Sequence, residues 1–321
     1  MKQDFLSLAD LTEADYRSLF DRAHALKASR KRKEVVTTLA GRHLVAVFEK
    51  ASTRTHLSFE AAMYQLGGTV TTITSASSQI ARGETIEDTA RVISGYADCI
   101  MFRTFGDDRL QAFAKASAVP VINGLSEGGH PVQVLADLFT VEERLGGVKG
   151  KTVAFLGDCA SNMGRSFVEA TRFFDFHLRL GCPEGYRPAA SLLAEAGGRV
   201  HVTADPSEAV QGADVLVTDV WTSMGQEAES ARRMKDLNGY QLDEALLAQA
   251  KPGAIVRPAC QRTAARRSPR GCSTVPSRRC GTRRRTACTC RRRSSSGSSS
   301  AEPRRLPAAP PRRERLHRTH R

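Results

Sequence analysis

Short apolar runs alternate with helix-like segments throughout the first 256 residues of the chain. The runs are rich in Val, Ile, Leu and Phe, and they lack the strict polar–apolar alternation of a strand with one wet face. Alternation of buried strands with helices indicates an α/β protein with parallel sheets covered by helices. The strand-like runs are 44–48, 99–102, 119–122, 152–156, 177–181, 199–204 and 214–219, and a further one begins at 254–256.

The turn after the first run has the chemistry of an oxyanion site. Ser52-Thr53-Arg54-Thr55 precedes a helix-like segment, 56–66, that Gly67-Gly68 ends. Backbone N–H groups at a helix start, the positive end of the helix dipole, three hydroxyls and a guanidinium would converge on a phosphate-sized anion. For this tetrapeptide alone, an N-capping Ser or Thr followed by solvated polar residues is the competing interpretation.

Two more strand-like runs end in anion-binding or carbonyl-binding side chains. The run 99–102 leads into Arg103, and the run 119–122 leads through a Gly/Ser loop to His130 and Gln133. Pro131 suits the first turn of a helix that extends towards Leu145. Because ligands of open α/β sheets bind at the carboxyl ends of strands, these side chains are expected to meet at one small ligand.

The second half of the chain carries residues suited to an amino acid. Asn162 opens a helix that is predicted to reach about Phe174, and Asp219 ends a strand. Asp219 can pair with an ammonium group, while Asn162 and the backbone around Ser223 and Met224 can hold a carboxylate. For Trp221 and Met224, taken alone, core packing is the competing interpretation.

The ordered set of motifs resembles the transcarbamoylase family, and the ornithine carbamoyltransferases in particular. Ser-Thr-Arg-Thr, the Arg of Met-Phe-Arg-Thr-Phe and His-Pro-x-Gln match that family's carbamoyl phosphate motifs, and Asp-x-Trp-x-Ser-Met-Gly resembles its ornithine loop. An aspartate transcarbamoylase is expected to have basic residues at that loop. The chain departs from the family at Ser161-Asn162, where Asn-Asn is common, which leaves Asn162 as the expected ligand.

The resemblance implies transfer of a carbamoyl group from carbamoyl phosphate to the side-chain amine of ornithine, with no cofactor and no metal. It implies catalytic roles for Thr55, Arg103 and His130, with catalysis by positioning and charge stabilisation. Gln79 matches a residue that the family lends to a neighbouring subunit, so a trimer or a multiple of trimers is implied. The carbamoyl phosphate ligands would be Ser52, Thr53, Arg54, Thr55, Gln79, Arg103, His130 and Gln133, and the ornithine ligands Asn162, Asp219, Ser223 and Met224.

The resemblance also implies two α/β domains, each with a parallel sheet flanked by helices. Residues 1–134 would bind carbamoyl phosphate, 135–150 would form the connecting helix, and 151–256 would form an incomplete ornithine domain. In this interpretation the end of the second domain is replaced by a disordered basic tail, residues 257–321.

The charge of the chain is concentrated in that tail. Of the net charge of +14, residues 257–321 contribute +18, with 20 Arg, no Lys and two Glu, so residues 1–256 carry −4. The globular part therefore has an ordinary mildly acidic balance, which argues against a nucleic-acid partner. Three cysteines precede the tail, no Cys-x-x-Cys occurs, and no long apolar run indicates a signal peptide or a membrane span. A cytoplasmic protein without a membrane partner is expected.

The tail is compatible with a translation displaced by one nucleotide. In this test, the first two bases of each codon in the given sequence are read as the last two bases of a codon in the shifted frame. Read in this way, residues from Ala259 to Arg267 allow Cys-Leu-Pro-Ala-His-Arg-Gly-Glu-Glu. The resembled family continues with such a Cys-Leu-Pro segment, so a frame slip is predicted near Arg257 and Pro258. The literal chain would then lack substrate contacts and a closing helix, and we expect it to be poorly stable and inactive.

Three alternatives stay open from the sequence alone. A sister transcarbamoylase would use another amine, such as putrescine or an acylated ornithine. The second alternative, a nucleotide-binding dehydrogenase, has less support because no Gly-x-Gly-x-x-Gly follows the strand that ends at Gly157. A basic nucleic-acid-binding protein would use the Arg-rich tail, which has no aromatic interleaving and would show binding that falls steeply with salt.

Overall fold

The computed structural model describes residues 2–221 and 229–258, which fall in a single structural unit. Two of the predicted ornithine ligands, Ser223 and Met224, lie outside the described residues. The predicted disordered tail, 257–321, also lies outside them from residue 259 onward. Its first two residues, Arg257 and Pro258, instead end a strand, Ile255–Pro258, so the predicted boundary is two residues too early.

The first half of the chain forms a sheet of four parallel strands in the order β2-β1-β3-β4. The strands are β1 His43–Phe48, β2 Thr69–Thr74, β3 Cys99–Arg103 and β4 Val121–Leu125. The two central strands, β1 and β3, are buried along nearly their whole length, as expected for a sheet covered on both faces. The helices are α1 Glu13–Lys31, α2 Thr53–Gln65, α3 Ile86–Ser94, α4 Asp107–Ala116 and α5 Pro131–Leu145.

The second half forms a sheet of five parallel strands in the order β7-β6-β5-β8-β9. The prediction of an α/β protein with two parallel sheets flanked by helices is confirmed in the described part of the chain. The strands are β5 Thr152–Leu156, β6 His177–Gly181, β7 Val200–Thr203, β8 Val215–Thr218 and β9 Ile255–Pro258. The helices are α6 Asn162–Ala170, α7 Ala190–Glu195, α8 Pro206–Val210, α9 Ser230–Asp236 and α10 Glu244–Gln249.

Three boundaries differ from the prediction for identifiable reasons. Helix α2 begins at Thr53, before the predicted His56, because the Ser52 hydroxyl caps the helix. Strand β4 spans 121–125 and excludes Pro120, which has no N–H to donate to the ladder. Helix α6 ends at Ala170 because the following turns place the Phe173 and Phe174 rings against Tyr16, with ring centroids 5.8 and 5.0 Å away.

Helix α5 packs against the second sheet, together with Leu8 and Tyr16 near the start of the chain. Val134, Leu138 and Val141 of α5 lie in the same buried cluster as Val153 and Phe155 of β5. Helix α5 begins at Pro131, as the sequence predicts, and Gly146 ends it in a left-handed conformation with φ of 74°. This packing brings the amino end of α5 to the amino end of α6.

The described residues contain no helix that is both long and apolar enough to cross a membrane. Within the same residues, no three or more His, Cys, Asp or Glu side chains are grouped so that they could hold a metal ion.

Candidate active site

The Ser52–Thr55 turn lies where β1 ends and α2 begins. Ser52 is extended, with φ of −160°, and its Oγ accepts a hydrogen bond from the Thr55 N–H at 3.3 Å. The same hydroxyl donates to Thr55 Oγ1 at 2.9 Å. Thr53 and Arg54 occupy the first turn with exposed side chains, whereas Ser52 and Thr55 are half-buried. The capping interpretation of Ser52 is therefore correct, and it is compatible with anion binding because α2 still presents its amino end to the same edge.

Arg103 lies beside this turn and is a buried cation without an ion-pair partner in residues 2–221 and 229–258. The residue is 8% exposed, and its Nη1 donates to Thr55 Oγ1 at 3.4 Å. Its Nε atom is buried and has no hydrogen-bond partner among the described groups. Burial lowers the pKa of the guanidinium to about 10, so it remains charged at pH 7. A buried positive charge held beside a helix start favours an anionic ligand.

His130 and Gln133 are placed by the first turn of α5. His130 is the N-cap residue of that helix, and its backbone N–H donates to Ser166 Oγ of α6 at 2.9 Å. Gln133 Nε2 donates to Asp137 Oδ1 at 2.9 Å. A Cβ atom at Gly129 would lie only 2.9 Å from Ser166 Oγ, so a side chain there would press on the atom that anchors His130. The loop carrying the His-Pro-x-Gln motif is thus fastened to the second half of the chain.

Lys50 is a site residue that the sequence analysis missed. It follows the end of β1 and is 8% exposed. Its Nζ lies 4.3 Å from the centroid of the Phe105 ring and 3.8 Å from Glu127 Oε1. Burial lowers the pKa of this ammonium, and the charge of Arg103 also lowers it. The sequence could have indicated Lys50, because it lies two residues before a hydroxyl-rich helix start. A lysine and such a helix start both favour an anion.

Asn162 and Asp219 lie at the carboxyl edge of the second sheet. Asn162 is the first residue of α6, and its Nδ2 donates to the backbone oxygen of Ser126 in the loop after β4, at 3.2 Å. Asp219 follows β8, and its Oδ1 accepts from the Val220 N–H at 2.8 Å. Asp219 keeps some exposed surface but lies deep among protein atoms. Desolvation raises the pKa of its carboxyl to about 6, and the charges of Asp158 and Asp137 act in the same direction.

An ion-pair network fastens the helix that follows the predicted ornithine loop. Arg233 of α9 donates to Asp158 Oδ2 at 2.6 Å and to Glu229 Oε2 at 2.9 Å, and its guanidinium lies 5.5 Å from the centre of the Tyr186 ring. These partners hold α9 at the end of β5, just after the segment that contains Ser223 and Met224. Trp221, at the start of that segment, packs against the core of the second sheet, as its competing interpretation proposed.

Gln79 is separated from the other predicted ligands. It begins a 3₁₀ turn, Gln79–Arg82, after the edge strand β2, and its exposed side chain accepts from Arg82 Nη1 at 3.4 Å. In the described part of the chain no hydrogen bond joins Gln79 to the Ser52–Thr55 turn. Within one chain, hydrogen bonds join Ser52, Thr55 and Arg103. His130 and Asn162 form a second group at the α5–α6 junction, with Gln133 in the first turn of α5. In residues 2–221 and 229–258 no hydrogen bond joins Gln79 to either group.

The fold and these contacts define a two-sheet parallel α/β protein with buried cations at the edge of the first sheet and acidic side chains at the edge of the second. Two family models match the chain in that order. Residues 3–143 match the carbamoyl-P binding domain of aspartate/ornithine carbamoyltransferase, and residues 149–257 match its Asp/Orn binding domain. The chain belongs to the aspartate/ornithine carbamoyltransferase family.

Individual relatives agree with this assignment. Over 263 residues the chain is 49% identical to an ornithine carbamoyltransferase of Sorangium cellulosum, covering 79% of this chain and 84% of that protein. It is 50% identical over 243 residues to an anabolic ornithine carbamoyltransferase of Pseudomonas aeruginosa, covering 76% and 79%. The structure of ornithine carbamoyltransferase from Pyrococcus furiosus superimposes with a TM-score of 0.76 at 39% identity, covering 82% and 85%. The second family match ends at residue 257, where the sequence analysis places the frame slip.

Proposed function

We propose that the protein transfers the carbamoyl group of carbamoyl phosphate to the side-chain amine of L-ornithine, giving L-citrulline and phosphate. The observation that carries this proposal is Arg103, a buried guanidinium without an ion-pair partner among the described residues, held against Thr55 at the start of α2. Membership of the family supports carbamoyl phosphate as the anion. The ornithine carbamoyltransferases described above support ornithine as the acceptor, in preference to putrescine or an acylated ornithine.

The phosphate would bind at the start of α2. Backbone N–H groups of the first turn, the Ser52, Thr53 and Thr55 hydroxyls, and the Arg54 and Arg103 guanidiniums would surround its oxygens. Since Arg103 is already desolvated, its bond to the phosphate forms without the full cost of removing the guanidinium from water. Lys50 adds a second buried positive charge near the same edge.

The carbonyl oxygen of the carbamoyl group would lie near Thr55, Arg103 and His130. These groups would stabilise the negative charge that develops on the oxygen when the amine attacks the carbonyl carbon. The new N–C bond forms, the C–O bond to phosphate breaks, and the amine nitrogen gives a proton to the departing phosphate. Gln133 would bind the carbamoyl amide and hold the group in line for attack.

Ornithine would bind at the edge of the second sheet. Asp219 would pair with its α-ammonium, and Asn162, with the backbone around Ser223 and Met224, would hold its carboxylate. An incoming ammonium would stabilise the ionised form of Asp219, whose raised pKa reflects the loss of water around it. These two roles would assign residues 1–134 to carbamoyl phosphate and residues 151–256 to ornithine, with 135–150 connecting them.

We further infer a role in arginine biosynthesis, a homotrimeric assembly and a cytoplasmic location. The anabolic relative supports the biosynthetic role. The exposed position of Gln79, away from its own chain's anion site, supports a trimer in which Gln79 reaches a neighbouring subunit. The free thiols of Cys99, Cys159 and Cys182 support a reducing compartment. Sedimentation equilibrium would test the assembly, with an expected mass of three times 34.9 kDa.

The activity is tested by measuring citrulline formation in the literal chain and in a frame-restored chain. Each is supplied with carbamoyl phosphate and with ornithine, putrescine or N-acetylornithine in parallel. We expect turnover with ornithine in the restored chain and its loss in the matched Arg103→Gln variant. Turnover confined to another amine, or undiminished turnover in that variant, would overturn the proposal.

A further inference from the structure

Asp137 is a buried carboxylate of α5 that has no role in the motifs described above. The residue is 5% exposed, and its Oδ1 accepts from Gln133 Nε2 at 2.9 Å. The same oxygen accepts from Arg257 Nε at 2.9 Å, and Arg257 Nη2 also bonds to it. One oxygen therefore collects donors from one turn of α5 and from the end of β9, which lies 120 positions along the chain.

Helix stability does not account for this arrangement. A Gln and an Asp four residues apart often bond on an exposed helix face, where the pair stabilises the helix slightly. Here the carboxylate and the guanidinium are both nearly buried, with side chains 8% and 13% exposed. Desolvating such a pair costs free energy that apolar residues of the same volume would not. The pair is better explained by what it does to Gln133.

Asp137 controls which end of the Gln133 amide faces the ligand. An ionised carboxylate only accepts hydrogen bonds, and Asp137 forms an ion pair with Arg257. It therefore bonds to the NH₂ end of the amide, and the carbonyl oxygen of Gln133 is the end turned away. A carbamoyl NH₂ group needs an acceptor, so this orientation matches it. A flipped amide would set two NH₂ groups against each other.

We propose that Asp137 is a positioning residue that fixes the Gln133 amide with its carbonyl oxygen towards the carbamoyl NH₂ group, with Arg257 as the countercharge. This inference rests on the proposed function, because Gln133 takes its ligand from that proposal. The charge of Asp137 also acts on Asp219, the proposed ornithine ligand, which places Asp137 within electrostatic reach of both substrate sites.

The test compares two stable probes that differ only at the amide. Phosphonoacetamide keeps the carbamoyl-like NH₂ group, whereas acetonylphosphonate has a methyl group there. Calorimetric titration of the full 321-residue chain measures the affinity for each. We expect phosphonoacetamide to bind about 5- to 10-fold more tightly, the ratio that one net hydrogen bond provides.

Three variants separate positioning from folding. Asp137→Asn keeps the accepting Oδ1 and is expected to keep most of this preference. The double variants Asp137→Leu/Arg257→Met and Asp137→Ala/Arg257→Met remove the acceptor and its countercharge together, so no unpaired charge is left buried. The binding measurement uses each double variant that unfolds cooperatively. In such a variant, the ratio of the two affinities is expected to fall to about 2-fold or less, while the affinity for acetonylphosphonate stays nearly unchanged.

The possible results distinguish the role of Asp137 from the proposed function. Loss of the preference in a double variant and its retention in Asp137→Asn supports the inference. A retained preference in the double variants, an equal loss of affinity for both probes, or a wild-type chain that binds both probes equally overturns the role of Asp137 and leaves the proposed function standing. A wild-type chain that binds neither probe overturns the inference alone, because the proposed function is tested separately by turnover of the frame-restored chain.

Discussion

Replacing Asp219 with Asn is expected to stabilise the protein while weakening ornithine binding. The carboxyl of Asp219 has a folded-state pKa of about 6, above its ordinary value of 3.8, because burial disfavours the charged form. Between these two values the folded state holds more protons than the unfolded state. Stability therefore falls as the pH rises through this interval, and the loss is complete above about pH 6.

The size of this effect follows from the pKa difference. A shift of about two pH units corresponds to about 3 kcal/mol of unfavourable free energy in the ionised folded state. This is an upper value, because the side chain keeps some exposed surface and water relaxes around it. Asparagine is neutral at every pH, and its Oδ1 can still accept from the Val220 N–H. We therefore expect Asp219→Asn to be more stable than wild type by about 1–3 kcal/mol at pH 8 and nearly equal at pH 4.

Urea unfolding at pH 4, 5, 6, 7 and 8 checks this expectation, with the difference between the two chains taken at each pH. Groups that do not interact with Asp219 cancel in that difference, so its slope reports Asp219 and the carboxylates whose charges act on it, Asp158 and Asp137. The reasoning about desolvation is refuted if the variant is less stable than wild type at pH 8, or if the difference does not change with pH. Calorimetry in the frame-restored chain should also show weaker ornithine binding with carbamoyl phosphate binding preserved. An equal loss of affinity for ornithine and for carbamoyl phosphate would contradict the proposal that the two substrates bind to different parts of the chain.

Three further predictions concern the anion site, the core and the tail. Arg54→Ala in a frame-restored chain should reduce transition-state stabilisation by about 2–4 kcal/mol, because a charge-assisted bond to the leaving phosphate is lost; unchanged steady-state constants would remove Arg54 from the site. Phe113→Ala should reduce stability by about 3–5 kcal/mol in urea unfolding, since this fully buried ring stacks on Phe102 at 4.4 Å; a loss below about 1 kcal/mol would mean that the cavity collapses. Resequencing the coding DNA should reveal an overlapping frame that encodes Cys-Leu-Pro-Ala-His-Arg-Gly-Glu-Glu, and restoring it should restore activity. A fully active literal chain would contradict the frame-slip account.

Local sequence signals were sufficient for the elements that carry the site. The apolar runs predicted parallel strands, and Pro131 marked the start of α5, because backbone restriction and hydrophobic period act over a few residues. Boundaries failed where a distant contact intervened. Helix α6 stops at Ala170 because Phe173 and Phe174 pack against Tyr16, which lies far away in the sequence.

The motifs also predicted Ser52, Thr55, Arg103, His130 and Gln133 as residues of one site, since each lies at or after the end of a strand whose carboxyl end lies at a common edge. They could not show that Lys50 is buried against Phe105 and Glu127. They could not show that Arg103 is buried beside Thr55, because these two residues lie 48 positions apart in the sequence. The tail beyond residue 258 and the 222–228 loop lie outside the described residues, so their predicted roles stay predictions.

By itself, the sequence determined the fold class and the strand and helix order, and it predicted which residues would bind an anion. The tertiary structure alone decided how those residues are charged and oriented. Desolvation raises the pKa of Asp219 and lowers that of Arg103, and Arg257 reaches Asp137 across 120 positions. Propensity and period are properties of neighbouring residues, whereas desolvation and ion pairing depend on which distant segments pack together.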